Sequence, residues 1–442
     1  MSHSERARQW VHIGSSAFAL LLRVLTWRQA ALLAVVALAF NAIALPRLGG
    51  RRLYRPTDEA RGFPLGILLY PCSVLLLILF FRDRLDLAAA AWGILAFGDG
   101  FATLVGHEVA SKPLPWNRDK SMAGSLAFVV FGGGAAVMLA LWVRPAIAPL
   151  PSMESTVASC LIAAIAAALV ESIPVRLDDN LSVPFAAGVV LWMATLVEPT
   201  RWPASQAAVL GMLPWAMAFN AVVAYLGFRA RTVSISGMIG GWAVGVVIFA
   251  CGGANAWVLL FATFAVATIS SRLGLARKTR LGIAEERGGR RGAGNALANC
   301  GVAAIASVLA IATHYPAESL LALTAALVAG GSDTVASEIG KAWGRRTFAI
   351  TSLRPVAPGT SGAISIEGTL AGVASAALLA ALGVALGLAG VHAIVPIVVA
   401  ATIGAFAESL LGSTLEGPGI LNNDMLNFIN TAVAALAALW LA

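Results

Sequence analysis

Apolar stretches of bilayer length recur along this chain from one end to the other, and that property limits what it can fold into more than any other. Each runs roughly 17 to 25 residues, the length that a hydrocarbon core demands of a helix. The clearest lie at 30–46, 63–82, 86–105, 121–143, 155–175, 205–228, 233–250, 254–271, 293–313, 365–388, 391–411 and 426–441, with further ones near 9–27, 183–200 and 318–338. Hydrophobic residues make up 59% of the chain and charged ones 12%, more apolar surface than a water-soluble domain can hide. The expected fold is an all-α polytopic membrane protein with about 14–15 transmembrane helices.

If all fifteen stretches cross, the loops sort by charge. The segments 1–8, 47–61, 106–120, 176–180, 229–231, 272–292, 341–360 and 413–424 fall on one side and hold 24 of the 30 Lys and Arg residues. The opposite loops hold Arg28, Arg82, Arg84, Arg144 and Arg201. The positive-inside bias makes the rich side cytoplasmic and points to a multi-pass protein of the cytoplasmic membrane. The net charge of +8 then needs no nucleic-acid partner, because the basic residues orient the chain and meet lipid headgroups or a nucleotide. Cys72, Cys160, Cys251 and Cys300 are scattered without paired spacing, so neither a disulfide framework nor a zinc site is expected. No cleavable signal follows the basic start at Arg6 and Arg8.

Within this apolar frame two polar patterns occur twice, in the same order. Asp-x-x-Ala-[Ser/Thr]-x-x-Gly appears as Asp99, Ala102, Thr103, Gly106 and as Asp333, Ala336, Ser337, Gly340. Ser-x-x-Gly-[Ser/Thr]-Leu-Ala appears from Ser121, Gly124 and Ser125, and again from Ser365, Gly368 and Thr369. A Glu-Ser pair follows each, Glu171-Ser172 and Glu408-Ser409, and then an acid and amide cluster, Asp178-Asp179-Asn180 and Asn422-Asn423-Asp424. Such ordered recurrence implies two related modules in tandem. Their boundary is expected near Arg201-Trp202-Pro203, giving domains of 1–204 and 205–442. The topology places both motif sets toward the cytoplasmic face, so the modules are parallel copies and both active sites are expected to face the cytoplasm.

Acids inside membrane spans are costly unless paired, hydrated or metal-bound, which makes Asp99, Glu171, Asp333, Glu338 and Glu408 functional candidates. Asp99, Glu171, Asp333 and Glu408 are the candidate catalytic groups. Oxygen-only ligand sets suit Mg2+ beside substrate phosphates, and the candidate ligands are Asp99, Asp178, Asp179 and Asn180 in one half and Asp333, Glu338, Asn423 and Asp424 in the other. Basic neighbours Lys112, Lys120, Lys341 and Arg345 can hold a polyphosphate. Ser121, Gly124, Ser125, Ser365, Gly368 and Thr369 stand at helix starts, where small residues let backbone N–H groups approach phosphate oxygens. The parts together describe nucleotide-dependent phosphoryl transfer at a membrane surface. His12, His107, His314 and His392 show no ligand spacing.

The first half resembles the phytol kinase and dolichol kinase family. The resemblance rests on Arg8-Gln9-Trp10-Val11-His12, the segment Gly98 to Gly106, Lys112-Pro113-Leu114-Pro115-Trp116-Asn117, the segment Lys120 to Ala127, and Val170-Glu171-Ser172 followed by Asp178 to Pro184. It departs from the family where Gln9 replaces a basic residue and Ala123 a glutamate. The second half is similar to an uncharacterised membrane family that includes the plant phytyl-phosphate kinase. There the match rests on Gly331 to Gly340, Gly359 to Gly362, Ser365 to Thr369, Glu408 to Gly412 and Asn422 to Asn427, with Ile364 standing where Lys120 falls in the first copy.

The resemblance implies an isoprenoid alcohol kinase fused to an isoprenyl-phosphate kinase. It further implies an isoprenoid lipid and a nucleoside triphosphate, CTP or ATP, as substrates, with Mg2+ as cofactor. A homo-oligomer is compatible with the sequence. Two other readings stay open at this stage: a cytidylyltransferase forming a CDP-lipid, and a secondary transporter.

Overall fold

The computed structural model describes residues 3–48, 63–148, 150–283 and 290–442, with the side chains of 3–5 left aside. The expected loop 47–61 lies almost wholly outside the described residues. The architecture is all-α, and twelve helical stretches among the described residues are long and apolar enough to cross a bilayer. Three local facts account for the distance between that count and fourteen to fifteen. The stretch Ile235–Arg272 has 38 residues, about 57 Å at 1.5 Å per residue, far more than one crossing needs. It breaks at Gly253, whose φ of +81° only glycine adopts at no steric cost, and so holds two crossing-length helices. Leu65–Phe80 is apolar but has 16 residues. The first expected span instead divides into a helix, His3–Ser15, and a 3₁₀ segment, Ser16–Arg23.

The chain separates into two compact units, residues 1–195 and 196–442. The expected break at Arg201-Trp202-Pro203 is not a loop but the first turn of a 29-residue helix, a position where proline is tolerated.

The first unit contains α1 (His3–Ser15), α2 (Trp27–Ala39), α3 (Leu65–Phe80), α4 (Leu85–Gly93), α5 (Gly100–Glu108), α6 (Met122–Ala127), α7 (Gly133–Val143), α8 (Met153–Glu171) and α9 (Asp179–Leu196). A π-helical turn, Ile94–Asp99, joins α4 to α5, and another, Phe128–Gly132, joins α6 to α7. The α4–α5 stretch is the most buried candidate span, with 72% of its apolar window inside the protein. Its sequence explains why: Ala88 to Ala91 leave no side chain to hold a neighbour away, and lipid supplies no hydrophobic drive between helices, so close contact does the work. A methyl group at Gly93 would lie 3.0 Å from Leu139 Cδ1, and one at Gly132 would lie 3.0 Å from the Gly98 Cα.

The second unit contains α10 (Arg201–Arg229), α11 (Ile235–Val247), α12 (Gly253–Arg272), α13 (Leu275–Arg280), α14 (Ala293–Ala312), α15 (Pro316–Trp343), the antiparallel strands β1 (Thr347–Ala349) and β2 (Ala363–Ser365), α16 (Ile366–Ala385), α17 (Ile394–Leu411) and α18 (Asn423–Leu441). Helix α15 is central, packed against α12, α14, α16, α17 and α18. It too is rich in Ala and Gly and mostly buried. The central helix of each unit carries the first repeated motif near its C-terminal end.

Candidate functional site

In the first unit the two repeated motifs prove to be two sides of one helix crossing. A methyl group at Gly124 would lie 3.0 Å from the Ala102 carbonyl oxygen and 3.4 Å from the Gly106 Cα, so the second motif's glycine fits against the first motif's alanine and glycine. Ser121 is the N-cap of α6: its Oγ accepts the Gly124 N–H at 3.1 Å, satisfying a donor the helix start leaves free. The Ser125 Oγ is buried without a partner among the described residues.

This crossing carries Asp99 into a cluster. Oxygens of Asp99, Glu171 and Asp179 lie within 4.8 Å of one another. Lys120 Nζ is ion-paired with Glu171 and stands 3.5 Å from Asp179 Oδ2. Burial alone would depress the Lys120 ammonium, but the facing Asp179, Glu171 and Asp99 carboxylates outweigh it and hold its pKa above the ordinary lysine value. The loop before α6 places this lysine by folding back on itself: the Leu114 N–H donates to the Lys120 carbonyl at 2.9 Å and the Met122 N–H to the Lys112 carbonyl at 3.0 Å. The same loop braces the Glu-Ser pair, since Trp116 Nε1 donates to Ser172 Oγ at 3.1 Å and Asn117 Nδ2 to the Ser172 carbonyl at 3.0 Å. Lys112 itself is exposed.

Asp178 and Asn180 stand apart from that cluster. Asp178 Oδ1 accepts both the backbone N–H and the Nδ2 of Asn180, at 3.0 and 2.8 Å. It caps α9 and leaves Asp179 as the member of the run that meets Asp99.

The second unit repeats the crossing. A methyl group at Gly368 would lie 3.2 Å from the Gly340 Cα, and Ser365 Oγ caps α16 by accepting the Gly368 N–H at 3.1 Å. Asp333 and Glu408 come together as neighbouring carboxyl groups, and Asn430 Nδ2 donates to Glu408 Oε2 at 2.9 Å. They open on a cavity of about 380 Å³ whose polar wall includes Lys341, Ser365, Thr369 and Asn423 together with Gly368. Glu338, by contrast, does not line the cavity. It is buried against Lys278 of α13 in an ion pair, with Lys341 Nζ 3.3 Å away on its other oxygen. Asp424 is also turned elsewhere, accepting from Asn295 Nδ2 at 3.2 Å. Arg345 is exposed, and its backbone N–H reaches Glu367.

Corresponding positions in the two units therefore carry related but unequal chemistry. Asp99, Glu171 and Asp179 answer to Asp333, Glu408 and Asn423, with α9 beginning at Asp179 and α18 at Asn423. Three carboxylates within reach of one another form a donor set that fits a hard divalent cation. Two carboxyl groups in contact need a shared proton or a cation between them, and the Asn423 amide oxygen adds a neutral donor to that wall.

Sequence reasoning passed over several residues at these sites. His12 Nε2 donates to the Leu95 carbonyl at 3.2 Å and lies 3.7 Å from Asp99 Oδ2, with its ring edge-on to Tyr70. Nothing in the spacing of His12 and Asp99 announces that contact. Asn430 was readable, because it follows Asn423 by seven residues, two helical turns, on the same face. Lys278 offered no signal beyond being one of several basic residues in its segment.

Fold and sites together define a polytopic integral membrane protein with a carboxylate-and-lysine polar site in each of two helical units. The chain belongs to the integral membrane protein DUF92 family, whose profile matches residues 218–435. An uncharacterized membrane protein of Synechocystis sp. is 40% identical over 45% of this chain and 78% of its own length. The chloroplastic protein VTE6 of Arabidopsis thaliana is 31% identical over 51% of this chain and 70% of its own. Phytol kinase 1 of the Arabidopsis thaliana chloroplast is 29% identical over 31% of this chain and 47% of its own, so this chain spans about half of that enzyme. No solved structure matches.

Proposed function

We propose that the chain is a bifunctional isoprenoid kinase of the cytoplasmic membrane, with both sites facing the cytoplasm. The first unit would convert an isoprenoid alcohol such as phytol or geranylgeraniol to its monophosphate, and the second would add another phosphate to give the diphosphate. A nucleoside triphosphate, CTP in the first instance, donates each phosphate. The observation that carries this reading is the recurrence of one arrangement: in each unit the motif aspartate meets the glutamate of the Glu-Ser pair, Asp99 with Glu171 and Asp333 with Glu408, with a lysine alongside. The similarity to a phytol kinase supports the substrate class.

In the first unit Asp99 and Asp179 would hold Mg2+, and in the second Asp333, Glu408 and Asn423. When bound, the ion neutralises charge on the nucleotide phosphates. Lys120 and Lys341 bind phosphate oxygens, and the α6 and α16 N-termini add backbone donors beside them. The substrate hydroxyl oxygen attacks the terminal phosphorus, the bond from that phosphorus to its bridging oxygen breaks, and nucleoside diphosphate leaves. The hydroxyl proton passes to the carboxylate cluster. In the second unit the acceptor is an ionised phosphate and needs no base of comparable strength.

The test is a product assay on purified protein with Mg2+, labelled CTP or ATP, and phytol or geranylgeraniol. Wild type is expected to give diphosphate, Asp333→Ala to accumulate monophosphate, and Asp99→Ala to form nothing from the alcohol while still phosphorylating a supplied monophosphate. Absence of phosphorylated lipid from all alcohols and monophosphates overturns the proposal. Release of pyrophosphate in place of nucleoside diphosphate assigns nucleotidyl transfer instead.

A further inference from the structure

The cavity of the second unit has two unlike ends. Its polar end holds Asp333, Lys341 and Glu408, but its wall continues along α16 and α17 into mainly apolar territory at Val373, Ala376, Ala401, Ala405 and Phe406, where the hydroxyl of Thr402 is taken up by the Val398 carbonyl at 2.8 Å. Ala376 lies eight residues beyond Gly368 and Ala401 seven before Glu408, so this end reaches about 10 to 12 Å along the helices from the polar groups. Ala376 and Ala401 are buried, whereas Val373 and Phe406 are 37% and 39% exposed. In a membrane-spanning helix pair that exposure faces hydrocarbon, so the seam between Val373 and Phe406 is a side opening toward lipid.

Resting on the kinase reading above, we infer that Val373, Ala376, Ala401, Ala405 and Phe406 form a subsite for the hydrocarbon chain of a single-chain lipid monophosphate whose phosphate sits at Lys341. Charge complementarity sets the orientation: the lysine and the α16 N-terminus receive the anionic head, and only the far end of the cavity is apolar enough to take a chain. Size sets the number of chains. About 380 Å³ is at the small end of ligand cavities, which run from roughly 300 to 1,000 Å³. It accommodates a phosphate head and the near part of one chain, the remainder leaving through the seam into lipid. The alanines set the width, since a longer side chain at Ala376 or Ala405 projects into that end. Gly372 serves another purpose, because a methyl group there would lie 2.9 Å from the Ala336 Cβ; it admits the neighbouring helix rather than the ligand.

The experiment is equilibrium binding of labelled five-carbon and twenty-carbon prenyl monophosphates to the full chain in nanodiscs, with phosphate transfer from labelled CTP or ATP measured in parallel. Ala376→Leu on α16 and Ala405→Leu on α17 are each expected to weaken twenty-carbon binding by about tenfold or more, roughly 1.4 kcal/mol, and to leave five-carbon binding unchanged. Ala376→Ser keeps the width and is expected to bind like wild type, and unchanged five-carbon binding certifies that each variant is folded. A two-chain phosphatidic acid is expected not to compete. Equal loss for both chain lengths in both leucine variants, no loss in either, no binding by wild type, or effective competition by the two-chain lipid overturns the subsite. Chain-length-dependent binding without any phosphate transfer overturns the kinase reading and leaves the subsite standing.

Discussion

Asp333 and Glu408, 75 residues apart in sequence, bring their carboxyl groups to one cavity inside the helical core of the second unit. Two such groups attract only with a proton or a cation between them. Replacing either by its amide, Asp333→Asn or Glu408→Gln, removes a negative ligand but keeps the side chain's shape and its capacity to hydrogen-bond. We expect both variants to stay folded and to lose at least about a hundredfold in phosphorylation of a monophosphate substrate, as is usual when a group that organises transition-state charge is removed. A folded variant with more than a tenth of wild-type activity would remove that residue from the machinery.

Lys120 meets Glu171 and Asp179 through its ammonium. Lys120→Met leaves a buried glutamate unpaired and is expected to destabilise the protein by about 3–5 kcal/mol. Lys120→Met/Glu171→Gln is expected to recover part of that loss. Because the lysine pKa is raised on folding, its stabilisation is fully present below the ordinary lysine value of 10.5 and is lost only as pH rises through the higher folded value. Thermal melts of wild type are therefore expected to show no Lys120-dependent step between neutral pH and about pH 9. Comparison with the double variant across that range checks this.

The buried Lys278–Glu338 pair fastens the short helix α13 to the central helix α15. Lys278→Met is expected to cost about 3–5 kcal/mol in unfolding experiments, and Lys278→Met/Glu338→Gln substantially less, since the single change strands a charge that the double change removes. Were Glu338 instead a metal ligand, Glu338→Gln would lower activity as far as Asp333→Asn is expected to; we expect a milder effect, carried through Lys341.

Gly124 and Gly368 occupy the same place in the two crossings. A side chain of any size there meets backbone of the facing helix. Gly124→Val and Gly368→Val are each expected to destabilise by about 1–3 kcal/mol through overpacking, and each to lower activity chiefly in its own unit. The product assay separates the two effects, because loss in the first unit removes monophosphate and loss in the second lets it accumulate.

Much of this arrangement was legible in the sequence because it rests on recurrence. Asp99 with Asp333, Gly106 with Gly340, Gly124 with Gly368 and Glu171 with Glu408 all kept the order that the repeats display, and each pair meets its neighbours in its own unit. What the sequence did not convey was rotation about helix axes. Consecutive helical residues point about 100° apart, so Asn423 lines the cavity while Asp424 turns to Asn295. From Asp333 to Glu338 is five residues, about 500° or 140° net, which carries Glu338 away from the cavity and toward α13. Adjacency at a helix start misled in the same manner, since Asp178 caps while Asp179 reaches the cluster. The His12 contact with Asp99 depends on tertiary packing and left no trace in local spacing.

The close approach at Gly106 and Gly124, matched at Gly340 and Gly368, is made by backbone, by alpha carbons and by one capping serine hydroxyl in each unit, Ser121 or Ser365. Placement of the aspartate is thereby separated from the identity of the other side chains around it. One copy can carry Lys120 where the other carries Ile364, or Asp179 where the other carries Asn423, and neither exchange disturbs the joint that holds the acid in place. A joint of this kind leaves each unit free to carry its own chemistry on a frame that is already fixed.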